Sequence, residues 1–158
     1  MSLDIGLSHS GIFVDMAKTI PVGDIDERAQ KLLQVTEDAL HRGINVARAG
    51  GHVGDIGAAI ETYVAKNGFS IVRELGGHGV GRRVHEEPFV PNFGKQGLGA
   101  ELVSGMVLAL EPIVNEKDPR IILAKDGYTY LTKKGDRSAH FEHTILITAD
   151  GPIIITKV

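Results

Sequence analysis

Ser138-Ala-His-Phe-Glu-His-Thr-Ile-Leu-Ile-Thr148 is the stretch on which the reading of this chain turns. Its even positions His140, Glu142, Thr144 and Thr148 are mostly polar, and the odd ones Ala139, Phe141, Ile145 and Ile147 mostly apolar. A period of two marks a β-strand with one face on a core and the other on something polar. Glu142 stands on the polar face and His143 on the opposite one. Taken alone, a strand face open to water explains this as well as a polar cavity does. The question is whether other segments send charge to the same place.

Gly105-Met-Val-Leu-Ala-Leu-Glu-Pro-Ile-Val114 does so. Glu111 shares a face with Val107, Ala109 and Ile113 in a strand with no other charge, and Pro112 marks a bend where Glu111 must be aimed. A structural glutamate paired with an Arg is the competing reading. Gly76-Gly-His-Gly-Val-Gly-Arg-Arg-Val-His-Glu-Glu-Pro88 places glycines on both sides of His78, where a backbone can approach a ligand closely. Its glycine spacing fails the dinucleotide-loop pattern, and His85-Glu86-Glu87 lacks the second histidine of a zincin helix. Near the N-terminus, Leu3–Ser8 and Gly11–Ile20 read as two strands joined through His9-Ser10 into a hairpin. Alternation puts Asp4 on one face of the first strand and Asp15 on one face of the second, so the two can look the same way.

Between these segments lie two helices, Asp24–Val46 and Gly54–Lys66, each with an apolar stripe at three-to-four spacing. Further β-rich runs follow at 69–73, 121–130 and 152–157. The order, two strands, two helices and then five further β-rich runs, predicts an α+β domain over 1–158, with two helices covering a largely antiparallel sheet.

The composition suits one ordinary globular domain: 158 residues, 42% hydrophobic and 23% charged. A net charge of −3 without a Lys/Arg block argues against nucleic acid or an anionic membrane as primary partner. No apolar run is long enough to span a bilayer and no signal pattern opens the chain, so the cytoplasm is the expected location. With no cysteine, any metal must be held by oxygen and imidazole.

Asp4, Asp15, Glu111, Glu142 and His78 therefore form the candidate set. Four carboxylates sent into one interior space require cations to neutralise them. Hard oxygens with one imidazole suit manganese, iron, cobalt or zinc, and four carboxylates match two divalent ions in charge. A dinuclear centre of this kind activates water and polarises a carbonyl, which is the chemistry of amide or ester hydrolysis.

Together, Asp4 followed by Gly11-Ile-Phe-Val-Asp-Met-Ala-Lys-Thr19, Gly-Gly-His-Gly-Val-Gly-Arg, Val-His-Glu-Glu-Pro, Gly-Met-Val-Leu-Ala-Leu-Glu-Pro and Ser-Ala-His-Phe-Glu-His-Thr resemble the type I methionine aminopeptidases of the pita-bread (creatinase-like) fold. The likeness covers essentially the whole chain. It implies that Asp4 is the bidentate ligand of one metal, that Asp15 and Glu142 bridge, and that His78 and Glu111 hold the second. His85 resembles the histidine that hydrogen-bonds the substrate, and Glu111 the carboxylate that shuttles a proton to the leaving amine. Val84 and Tyr128 fall where the family lines its methionine pocket with larger aromatics. The implied partners are N-termini of peptides and nascent proteins, with association at the ribosome.

The family carries a further segment before the strand that holds Asp4, including another active-site histidine and much of the methionine pocket. The expectation is thus an incomplete pita-bread domain, lacking its N-terminal side, with every metal ligand but an impaired activity. A sheet edge left open in this way is expected to self-associate. Two other readings stay open: a non-catalytic pita-bread module that binds peptides or proteins, and an Xaa-Pro peptidase of the same fold.

Overall fold

In the computed structural model, which describes residues 1–157, the chain opens with a hairpin of β1 (Ser2–His9) and β2 (Ile12–Thr19). Its turn is Ser10-Gly11, not His9-Ser10: His9 still pairs with Ile12, and Ser10 and Gly11 take φ of 52° and 77°. Two successive positive φ values give a two-residue turn whose twist matches that of the strands. The hairpin's register pairs Asp4 with Ala17 and Gly6 with Asp15.

α1 (Glu27–Val46) begins three residues after the expected Asp24, because Asp26 is its cap and accepts the Ala29 N–H at 2.8 Å. α2 (Val53–Lys66) starts behind His52, whose N–H donates to the Asp55 carboxylate at 2.7 Å, and ends at Asn67-Gly68 as its sequence predicts. The remaining elements are β3 (Ser70–Ile71), β4 (Gly77–Gly79), β5 (Glu86–Val90), β6 (Val107–Leu110), β7 (Ile113–Asn115), β8 (Ile121–Leu123), β9 (Tyr130–Thr132), β10 (Ser138–His140), β11 (His143–Thr148) and β12 (Gly151–Ile154). Antiparallel pairing joins them in a five-stranded sheet of order β12-β11-β6-β4-β5 and a three-stranded one of order β10-β7-β3, with β8 and β9 as a separate hairpin. The fold is α+β, as the element order predicts.

The long strands expected at 106–114 and 138–148 are each two strands. They break at Glu111-Pro112 and Phe141-Glu142. Pro112 has no N–H to give to a ladder, and its carbonyl instead accepts the Phe141 N–H at 3.4 Å. The run at 121–130 likewise divides into β8, a turn and the first residue of β9, and in the turn Asp126 accepts the N–H groups of Tyr128 and Thr129 at 2.9 Å. The glycine-rich segment, read as turn-like, contains β4 and β5.

Leu32, Val35, Leu40, Ile56 and Ile60 from the helices close the core against Leu108, Leu110, Ile145 and Ile147 from the sheet. The helices thus occupy one face of β6 and β11. The alternate residues Ala109, Glu111, Glu142 and Thr144 are left for the other. β4 enters this sheet only because His78 is flanked by glycines: a Cβ on Gly77 would stand 2.2 Å from the Ala109 carbonyl oxygen, and one on Gly79 2.2 Å from that of Glu87. Backbone on both sides cannot yield cheaply. Gly77→Ala is expected to cost about 1–3 kcal/mol or more in urea unfolding, whereas Gly6→Ala, whose Cβ would meet nothing nearer than Val84 Cγ2 at 3.6 Å, should cost less.

Candidate metal centre

Residues directly opposite in an antiparallel pair share a face, so the site can be built across the strands. Asp4 pairs with Ala17. The Glu142 N–H donates to the Ala17 carbonyl at 2.9 Å, and Lys18 bridges to Phe141. One step beyond the His143–Leu110 pair, Glu142 meets Glu111. The neighbouring row runs from Gly6 to Asp15, then to Thr144, Ala109 and His78. Thr144 joins β2 to β11 in this row, its hydroxyl accepting the Asp15 N–H and donating to the Asp15 carbonyl, both at 2.8 Å. Gly6, Ala17, Thr144 and Ala109 are small, so the longer side chains beside them have room to converge.

The structure therefore brings Asp4, Asp15, His78, Glu111 and Glu142 together. Asp15, His78 and Glu142 are buried, while Asp4 lies exposed at the rim. The His78 Nδ1 faces the Gly79 carbonyl at 2.9 Å; donating there leaves its Nε2 lone pair free, 3.6 Å from Glu111 Oε1. Ligand atoms of His78, Glu111 and Glu142 lie within 4.8 Å of one another, as do those of Asp4, His140 and Glu142, and of Asp15, His78 and His85. Among the described residues, the four carboxylates form ion pairs only with His78 and His140, and none with Lys or Arg. Glu111 is thus not the arginine-paired structural glutamate of the competing reading. Burial first, and then the charges of Glu111, Asp15 and Asp4, push the Glu142 carboxyl up to about 9. A buried carboxyl this reluctant to ionise alone fits bound cations, and the oxygen and imidazole donors of the cluster fit first-row divalent ions.

His85 stands edge-on to His78 with ring centres 4.4 Å apart, at the border of a cavity of about 610 Å³ that Asp4, Glu111 and His140 also line. Leu75, Phe89 and Ile113 give this cavity apolar walls. Val84 is half-buried beside Gly6, its Cγ2 3.6 Å from where a Cβ of that residue would be. Tyr128 is not brought to the site: it is 87% exposed in the β8–β9 turn and lines none of this cavity.

Two residues were not singled out from the sequence. Buried Asn92 donates its Nδ2–H to the Glu111 carbonyl at 3.0 Å and so fixes the backbone at the strand break. No local pattern announces it. His140 lies two residues before Glu142 on the same strand face, a signal that the alternation of 138–148 did contain.

Residues 1–149 match the model of metallopeptidase family M24. Over 158 residues the chain is 46% identical to the methionine aminopeptidase of Clostridium perfringens (strain 13 / Type A), and 45% identical to methionine aminopeptidase 1 of Bacillus subtilis (strain 168). Each match covers all of this chain and 64% of the relative. The crystal structure of methionine aminopeptidase from Thermotoga maritima superposes with a TM-score of 0.97 at 44% identity, over 99% of this chain and 63% of that one. The chain thus spans somewhat less than two thirds of the length of these relatives.

The raised Glu142 carboxyl has a consequence for stability. Between its ordinary value of 4.5 and about 9, the folded chain without cations holds a proton that the unfolded chain has released. Stability therefore falls as pH rises through that window, and this group contributes no slope below it. With a chelator present, thermal unfolding midpoints are expected to drop between about pH 5 and about pH 8, and Glu142→Gln to flatten that slope. An equal slope in both proteins would show that Glu142 does not carry the effect.

Proposed function

The chain belongs to metallopeptidase family M24 and has its pita-bread fold, and on that premise we propose that its site hydrolyses the peptide bond after an N-terminal methionine. The observation that carries this reading is the convergence of four carboxylates and the His78 imidazole, unneutralised by Lys or Arg among the described residues, beside a cavity with apolar walls. In this reading Asp4 would hold one ion, His78 and Glu111 would hold the other, and Asp15 and Glu142 would be shared between them. Two divalent cations, cobalt, manganese, iron or zinc, would neutralise these carboxylates, lower the pKa of a water and polarise the scissile carbonyl. Glu111, facing the cavity, takes a proton from the attacking water and delivers it to the leaving amine. His85, exposed at the cavity border, hydrogen-bonds the substrate carbonyl. Leu75, Phe89 and Ile113 offer an unbranched thioether side chain the apolar contact it needs, with Val84, beside Gly6, as a further pocket residue in this reading. The proposed partners are N-termini of newly made proteins at the ribosome, in the cytoplasm. No helix of the described residues is long and apolar enough to cross a membrane.

The retained ligands weigh against a silent binding module, because such relatives of the fold have typically lost them. An Xaa-Pro peptidase would share the carboxylate rows, so substrate decides. Given manganese or cobalt, the purified chain is expected to release methionine from a Met-Ala peptide, even if slowly, and nothing from an Xaa-Pro peptide. Glu111→Gln should lower the rate about 10²–10⁴-fold while leaving the fold intact. Release that ignores chelation, or preference for Xaa-Pro, would sink the reading.

β1 also suits a second copy of the chain. Among the described residues its outer edge is unpaired, and Leu3, Ile5 and Leu7 form an exposed apolar row. A two-fold axis at Ile5 would set Leu3 against Leu7 of the partner subunit and Asp4 against Gly6 of the partner subunit, so no like charges meet. We propose self-association through this edge. Light scattering should show a dimer that Ile5→Lys dissociates; a monodisperse monomer at high concentration would count against it.

A further inference from the structure

Two imidazoles at the site lie outside the five-ligand set, His85 at the cavity border and His140 between Asp4 and Glu111. The backbone of His140 is held on both sides of the residue, the N–H donating to Thr19 Oγ1 at 2.8 Å and the carbonyl accepting from the same hydroxyl at 2.9 Å. Its ring reaches between two carboxylates that belong to different ions in the reading above. Nδ1 lies 3.9 Å from Asp4 Oδ2, and Nε2 lies 3.4 Å from Glu111 Oε2. Nε2 is buried and has no hydrogen-bond partner at that distance.

A neutral imidazole carries one N–H and one lone pair. Whichever carboxylate receives the N–H, the other ring nitrogen turns its lone pair toward an anion. A cation on that side removes the conflict. Two ligand atoms that each sit about 2.0–2.2 Å from one ion are about 3–4 Å from each other, which is the spacing of Nδ1 and Asp4 Oδ2. The same arrangement leaves Nε2–H to a carboxylate, the usual partner of a metal-bound histidine. The candidate groups are also matched in composition: Asp4, His140 and Glu142 on one side, Glu111, His78 and Glu142 on the other. Each has its own carboxylate, its own imidazole and a share of Glu142.

Resting on the two-ion reading of this site, we propose that His140 is a sixth protein ligand, binding through Nδ1 the ion that Asp4 and Glu142 hold and donating Nε2–H to Glu111. Each ion then has one imidazole. This moves the Asp4 position away from the all-oxygen donor set that suits manganese and toward one that suits zinc, cobalt or iron.

Zinc alone, titrated into the chain labelled with ¹⁵N in its histidines, tests this without any assay of activity. Long-range ¹H–¹⁵N spectra are expected to show two coordinated imidazoles, His78 through Nε2 and His140 through Nδ1. In His140→Gln only His78 should respond, and calorimetry should show one of two zinc ions weakened about 10- to 100-fold or more while the other is unchanged. If His140 keeps both ring N–H protons at saturating zinc, acting as an imidazolium between the carboxylates, the proposal is overturned. The two-ion reading would survive that result. If His78 also ignores zinc, that reading falls and the proposal with it.

Discussion

Repulsion among four carboxylates, two brought by the β1–β2 hairpin and two by the breaks after β6 and before β11, is the constraint to which the rest of this structure answers. Glu142 is 2% exposed, and its neighbours in the two rows include Glu111, Asp15 and Asp4. Among the described residues, only two imidazoles stand against them as cationic partners. A fold can hold such a cluster only if the strands that carry it are fixed by interactions the cluster does not supply. Thr144 does this for Asp15 with two hydrogen bonds to its backbone, Asn92 for Glu111 with one, and Ala17 for Glu142 with another. The charges are held by their backbones, so the side chains stay available to ions.

The opposite face of the same strands supplies the stability. Leu108, Leu110, Ile145 and Ile147 pack against α1 and α2, and this burial of apolar area is the dominant favourable contribution to the fold. The two faces would conflict if the strands ran unbroken. They break instead at the level of the two glutamates, at Glu111-Pro112 and before His143, so that β7 and β10 leave the plane of β6 and β11. The cavity beside the carboxylates opens at this break, with Ile113 on its wall and His140 at its edge.

Asp4 and Asp15 come from a different source. They ride on the β1–β2 hairpin, which meets the rest of the chain through Lys18–Phe141, the Glu142–Ala17 hydrogen bond and Thr144. One face of that hairpin sends carboxylates to the site and the other presents Leu3, Ile5 and Leu7 to solvent. Cations bound between hairpin and sheet would tie the two together, which links the occupancy of the site to the placement of the chain's first strands.

Much of this was legible in the residues, because it is encoded locally. A period of two places Glu142 and Thr144 on one face and Ile145 and Ile147 on the other wherever the strand goes. A proline after Glu111 stops a ladder in any context, and a period of three to four makes α1 and α2 amphipathic before anything covers them. From such patterns came the α+β class, the two helices and five residues that converge. Strand pairing is different, since it joins positions far apart in the chain. Only the tertiary structure decided that Glu142 lies beside Ala17 rather than one residue along, that the turn is Ser10-Gly11, that Tyr128 stays at a hairpin tip, and that His140 sits between Asp4 and Glu111. Sequence states what each strand presents on its faces. Register, set by the packing of the whole core, states what each face meets.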